Sequence, residues 1–149
     1  MSKRKIRKVR HVFNAARMID VLIVEPEKTP RRARIRANLD SYQSIVGGLI
    51  DFVCPLDFND DAILVINDEG KLWGLPWNRS LRFENGEPFD VLAGTFFIAK
   101  DGSEGLESLT DEQIEYYEKY YYEPEHFEGT PSYARFGCEF IPFDLLSMN

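Results

Sequence analysis

Two turn signals, a tight Gly-Leu-Pro-Trp-Asn-Arg segment and a glycine-marked apolar strand are packed between Asn67 and Ala99, and no other stretch restricts the chain as much. Asp68-Glu69-Gly70-Lys71 reads as a hairpin turn with glycine where positive φ is needed. Glu84-Asn85-Gly86-Glu87 contains Asn-Gly, the strongest short hairpin signal. Phe89 to Ile98 reads as the longest strand, with a bulge or close backbone approach at Gly94 and a good strand residue in Thr95.

The flanking sequence supplies the partners such strands need. Ile19 to Val24 is a β-branched apolar run long enough for one buried strand, ended by Pro26 and Pro30. Arg31 to Arg36 alternates Arg with Ala and Ile, as an exposed edge strand guarded by charge would. A brief helix is expected from Leu39 or Asp40 to Val46, with Asn38 or Asp40 as N-cap and one of Gly47 and Gly48 left-handed at its end. Leu49 to Cys54 and Asp61 to Ile66 read as strands, and Lys100 to Leu109 as a loop. Thr110-Asp111-Glu112-Gln113 is a capping box that opens a helix to about Tyr121, stopped before Pro124. The tyrosines at 116, 117, 120, 121 and 122 give that helix one face for the core and leave others exposed, a partner surface. The expected fold is α+β, a mostly antiparallel sheet packed against one longer C-terminal helix and one short helix. It divides into a basic arm at 1–18, a domain at 19–122 and an irregular extension at 123–149 that wraps over the domain or a second subunit as a homo-oligomer.

Charge is unevenly placed. The net value of −7 combines +9 over residues 1–36 with −16 over residues 37–149. The arm carries Lys3, Arg4, Lys5, Arg7, Lys8 and Arg10, with Ile6, Val9, Val12, Phe13 and Ala16 at helical spacing, and is open to three readings: a nucleic-acid contact, a solvated tail or a segment docked on the acidic body. No apolar run approaches the roughly 20 residues that span a bilayer. The basic start leads into no apolar stretch with a cleavage site, so a cytoplasmic protein is expected.

A search for chemistry finds no GxSxG, HExxH, Walker loop or CxxC pair, and only two histidines, His11 and His126. Cys54 and Cys138 stand 84 positions apart without metal-ligand spacing. Asp57, Asp60, Asp61, Asp68 and Glu69 sit in loops, where solvated charge is the ordinary explanation. A non-enzymatic protein without cofactor or metal is expected. The candidate ligand-binding residues are Asn78, Arg79, Gly47, Gly48, Trp73, Trp77 and Thr95. Arg79 suits a phosphate or carboxylate through its planar fork, Asn78 can donate and accept, the Gly47-Gly48 backbone offers N–H donors, and Trp73 or Trp77 offers a stacking face. Structural roles stand beside these: Arg79 salt-bridged to an acidic neighbour, Asn78 capping a helical turn over Ser80 to Phe83.

IVEP at 23–26, IVGGLIDFV at 45–53, NDEGKLWGLPWNRSL at 67–81 and AGTFFIA at 93–99, followed by SLTDEQIEYY, resemble a family of small proteins of unknown function encoded by bacteriophages, plasmids and conjugative elements. The resemblance covers residues 19 to 121, and the recurring positions are Gly47, Gly48, Gly70, Asn78, Arg79, Gly94 and Thr95. It implies no catalytic residues. It implies an accessory protein of a mobile element acting against host defence, expected to sequester an anionic small molecule such as a nucleotide signal. Two other readings stay open: an acidic inhibitor that imitates nucleic acid and binds a host defence protein directly, and nucleic-acid binding through the arm.

Overall fold

The computed structural model describes residues 17–54 and 60–127, with the backbone of 133–136 and 139–142. The expectations for the arm before Arg17, for Asp57, for Cys138 and for the rest of the tail lie outside the described residues.

The elements run β1 (Met18–Val24), β2 (Arg31–Arg36), α1 (Leu39–Val46), β3 (Ile50–Val53), β4 (Ala62–Asn67), β5 (Trp77–Arg82), β6 (Pro88–Ala93), β7 (Phe96–Gly102), β8 (Gly105–Glu107), α2 (Asp111–Tyr120), β9 (Tyr133–Phe136) and β10 (Glu139–Pro142). A central sheet has the order β2-β1-β7-β4-β3, with β8 folding back on β7, and every pairing in it is antiparallel. β5 and β6 form a separate two-stranded ribbon, and β9 and β10 pair with each other in the region expected to be irregular. The fold is α+β, and among the described residues the C-terminal helix is the longer of two.

The middle strands are apolar without alternation because both faces of the sheet are covered. On one face Leu22, Val24, Leu64, Phe96 and Ile98 pack with Ile114, Tyr117 and Tyr121 around α2 and with Leu81 and Leu92 of the ribbon. On the other, Val21, Ile23, Ile63, Val65 and Phe97 pack with Tyr42 and Val46 of α1. Burying each such side chain stabilises the fold by about 1.5–3 kcal/mol.

Local signals place the helices. Asn38 caps α1 by accepting from Ser41 N at 2.8 Å, and Gly47 closes it with φ 82°. Thr110 and Gln113 complete the capping box of α2 at 3.1 and 3.0 Å. Leu109 N donates to Asp20 O at 3.0 Å and Asp20 N to Ser108 Oγ at 2.8 Å, which fixes the start of α2 beside β1.

Three expectations are corrected. The Asp68–Lys71 turn joins no hairpin: residues 68–74 coil through helical turns, with Trp73 N bonding Glu69 O, and deliver the chain from the sheet to the ribbon. Gly70 is needed there for space rather than for positive φ, since a Cβ on it would stand 2.5 Å from Ala93 O. Phe89 to Ile98 is two strands in two sheets, broken at Gly94, whose φ of 87° and missing Cβ, which would stand 2.7 Å from Leu75 Cδ1, let the chain cross over. The Lys100–Leu109 segment is mostly strand, the β7–β8 hairpin.

Edge strand β2 is lined by paired arginines. Arg31 meets Glu25 at 3.0 Å, Arg32 meets Glu118 of α2 at 2.9 Å, and Arg34 meets its cross-strand neighbour Asp20 at 2.8 Å. The hydrogen bond from Arg34 holds the Asp20 carboxyl below its ordinary range, and that from Arg32 does the same for Glu118, both against a smaller opposing effect of desolvation.

Two outcomes follow from this architecture. Gly70→Ala forces Ala93 or the 68–74 segment to move and lowers stability by about 1–3 kcal/mol, read from the urea midpoint. Because the folded pKa values of Asp20 and Glu118 are depressed, their contribution is present at neutral pH and fades as pH falls below about 4. The stability difference between the parent and an Arg32→Gln/Arg34→Gln variant, measured at pH 6, therefore shrinks to nothing once both carboxylates are protonated, and it also shrinks in high salt.

Candidate functional site

The sequence candidates separate into an interior junction and a surface cleft. Asn78 and Arg79 lie in β5, where the register with β6 slips between Trp77 and Arg79. An extra residue there cancels the strand's normal alternation, so that consecutive side chains can both turn inward. Asn78 and Arg79 are accordingly both buried, at 0% and 1% exposure.

Arg79 uses its whole fork. Nε donates to Tyr121 O at 3.2 Å; Nη1 donates to Asn78 Oδ1 at 2.9 Å and Asn78 O at 3.4 Å; Nη2 donates to Lys28 O at 2.7 Å and Tyr121 O at 2.9 Å. All five N–H groups of a guanidinium are thereby engaged. Tyr121 follows the last turn of α2, where carbonyls lack intrahelical partners and the helix dipole is negative, so the cation caps the helix. Burial pushes the Arg79 pKa down, and the field of nearby Glu125 opposes the shift. Glu125 itself accepts from Ser80 N at 3.0 Å, Ser80 Oγ at 2.6 Å and Arg82 at 3.3 Å. Asn78 Nδ2 donates to Val24 O and to Gly94 O, each at 2.9 Å. Neither expected structural role is the one found: the acceptors of Arg79 are carbonyl and amide oxygens rather than a carboxylate, and Asn78 stands in a strand rather than at a helix cap.

The other expected ligand contacts are committed or scattered. Gly47 N and Gly48 N both donate to Gln43 O, at 2.8 and 3.1 Å, closing α1 rather than facing a ligand. Trp77 is buried against Val91, Ala93, Leu75 and Phe127, its ring 6.1 Å from that of Phe127. Trp73 is 73% exposed and reaches Glu69 Oε1 at 3.4 Å. Thr95 lies half-buried between β6 and β7. The structure does not gather these residues around one ligand.

A cleft of about 280 Å³ opens instead where the 68–74 turn approaches β3, β4 and β6. Val53, Ile66, Leu92 and Ala93 give it an apolar floor, and Asn67, Asp68, Lys71, Leu72 and Asp90 complete it. Lys71 and Asp90 form an ion pair there, at 28% and 36% side-chain exposure. Asp90 Oδ1 also accepts from Val91 N at 2.8 Å, which orients the carboxylate. Asn67 is spent on structure: Nδ2 donates to Val46 O at 3.0 Å and Oδ1 accepts from Glu69 N at 2.8 Å, joining α1, β4 and the turn. Sequence reasoning missed Lys71 and Asp90 because they stand nineteen positions apart on different elements, and no local pattern links them.

Tyr117 presents a second buried polar contact, its hydroxyl donating to both oxygens of Asp60 at 2.9 and 3.0 Å. Burial first, and the bond to Asp60 second, push its pKa up. It stays a donor at neutral pH and ties α2 to the segment before β4. Among the described residues no group of three or more His, Cys, Asp or Glu is placed to hold a metal ion, and no helix is long and apolar enough to cross a membrane.

The interior junction gives a direct test. Arg79→Ala strands carbonyls at Tyr121 and Lys28 and lowers stability by about 3–5 kcal/mol. Arg79→Lys keeps the charge but not the fork and costs about 2 kcal/mol. Urea unfolding followed by tryptophan fluorescence reads both; a residue serving only a ligand would leave the midpoints unchanged.

The family whose profile matches this sequence, over residues 19–122, is described as Domain of unknown function (DUF3846). Searches of curated proteins and of solved structures return no match.

Proposed function

We propose that this chain, which belongs to the DUF3846 family, is a non-enzymatic binding protein that sequesters a small ligand in the cleft beside Lys71. The observation that carries the reading is the cleft itself: an apolar floor with a few convergent polar groups, the usual construction of a small-molecule site. Catalysis receives no support from the interior junction, whose guanidinium has no donor left over. The anionic ligand expected around Asn78 and Arg79 has to be held by Lys71, the cation of the cleft, in competition with Asp90 and Asp68. The setting, an accessory protein of a phage or other mobile element acting against host defence, is supported by the motif resemblance alone and is argued by association.

A second reading, an acidic inhibitor of a host protein, is favoured by the outer face of α2, where Asp111, Glu112 and Glu115 accompany exposed Tyr116 and Tyr120, whose rings stack 6.2 Å apart. It expects capture of a host protein that fades with salt and is lost in Glu112→Lys/Glu115→Lys. Nucleic-acid binding rests on arm residues that lie outside the described ones; Arg31, Arg32 and Arg34 are already held by carboxylates.

Thermal unfolding against a panel of amino acids, mononucleotides and short-chain acids tests the leading reading. A ligand present at a hundred times its Kd stabilises by about 2.7 kcal/mol, a rise of roughly 5–10 °C for a chain of this size. Val53→Phe fills the floor and is expected to abolish the rise while leaving the unliganded Tm near the parent's. If no compound in the panel raises Tm, the reading fails.

A further inference from the structure

The polar groups of the cleft restrict its ligand. Lys71 supplies one ammonium, and Asp68 and Asp90 supply two carboxylates, so the three groups carry a net charge of −1. From this arrangement we infer that the cleft takes a compact aliphatic zwitterion, an amino acid with a branched side chain. Its carboxylate meets Lys71, its ammonium meets Asp90 with Asp68, and its side chain lies on Val53, Ile66 and Leu92. The inference rests on the small-ligand reading above and names the ligand class for the same site.

Charge accounting favours a ligand of both signs. Lys71 and Asp90 hold each other across the cleft while partly open to water, and a pair so exposed contributes little to stability, so opening it costs little. A zwitterion replaces that one internal pair with two ligand pairs and leaves neither partner unmatched. A pure anion would take Lys71 but sit beside the like charges of Asp90 and Asp68, and a pure cation would meet the carboxylates but sit beside the like charge of Lys71. The Val91 N–H holds the Asp90 carboxylate in place when Lys71 turns to the ligand. Size points the same way. At about 280 Å³ the cleft lies below the roughly 300–1,000 Å³ range of sites for drug-sized molecules and suits a ligand of amino-acid size. The apolar floor then selects an aliphatic side chain over a polar one.

Titration calorimetry of the full chain with four probes tests this: L-leucine, L-leucinamide without the carboxylate, 4-methylpentanoate without the amine, and adenosine monophosphate. Leucine is expected to bind, with each of the other three at least tenfold weaker, the loss that follows removal of one charged hydrogen bond. Lys71→Met is expected to weaken leucine at least tenfold and leave leucinamide unchanged, and Asp90→Asn to weaken leucine while sparing 4-methylpentanoate. Melting curves of both variants are the control for folding. Any of the three analogues binding as tightly as leucine overturns the zwitterion while the cleft remains a small-ligand site. No heat from leucine at millimolar concentration also overturns it, and the broader thermal panel with Val53→Phe then decides separately whether the cleft binds anything.

Discussion

A buried cation holds the two halves of this fold together. The Arg79 guanidinium lies at the meeting point of the ribbon, the loop after β1 and the end of α2, and its donors are all taken up by oxygens of Tyr121, Lys28 and Asn78, with Tyr121 O accepting twice. A charge at 1% exposure is costly unless fully hydrogen-bonded. Here the helix C-terminus supplies part of the compensation through its dipole, and carbonyls supply the rest. Asn78 extends the junction by bonding Val24 at the end of β1 and Gly94 at the crossing between sheets. Three segments distant in sequence, around Val24 to Lys28, Gly94 and Tyr121, thus converge on two neighbouring side chains.

The arrangement of the layers depends on that convergence. The central sheet buries both faces, one under α1 and the other under α2 with the ribbon. The ribbon is not hydrogen-bonded into the sheet, so its position depends on apolar packing through Leu81 and Leu92 and on the Asn78–Arg79 bonds. The cleft beside Lys71 is a product of this placement. β6 brings Asp90 and Leu92, the 68–74 turn brings Lys71, and β3 and β4 bring Val53 and Ile66. Close approach at Gly70, with Ala93 O where a Cβ would stand, seats the turn against β6.

Local chemistry was legible wherever one short segment carries its own reason. The Asn38 cap, the Gly47 closure, the Thr110–Gln113 box, the Asn85-Gly86 hairpin and the alternation of arginine along β2 each depend on residues within a few positions of one another. Errors arose where the reason was remote. Asp68–Lys71 has the composition of a hairpin turn, yet β4 pairs with β3 and β7, so the chain leaves the sheet there. Gly94 has the sequence setting of a mark within one strand, yet its positive φ divides two, with Leu75 standing where a Cβ would lie. Trp77 has the chemistry of a stacking face, but Phe127 and Val91, remote in sequence, cover it.

By itself, then, the amino-acid sequence determined the class of fold, the antiparallel strands and both described helices with their caps, because periodicity, capping and turn chemistry act over a few residues. Only the tertiary structure decided what Asn78 and Arg79 do. A one-residue slip in the β5–β6 register turns both side chains inward, and the carbonyls they meet come from chain positions up to fifty-four residues away. The same long-range packing set Lys71 beside Asp90. No spacing rule reaches across a fold at that distance, and the proposed site lies outside the conspicuous motif, in a cleft that exists only when the two sheets are docked.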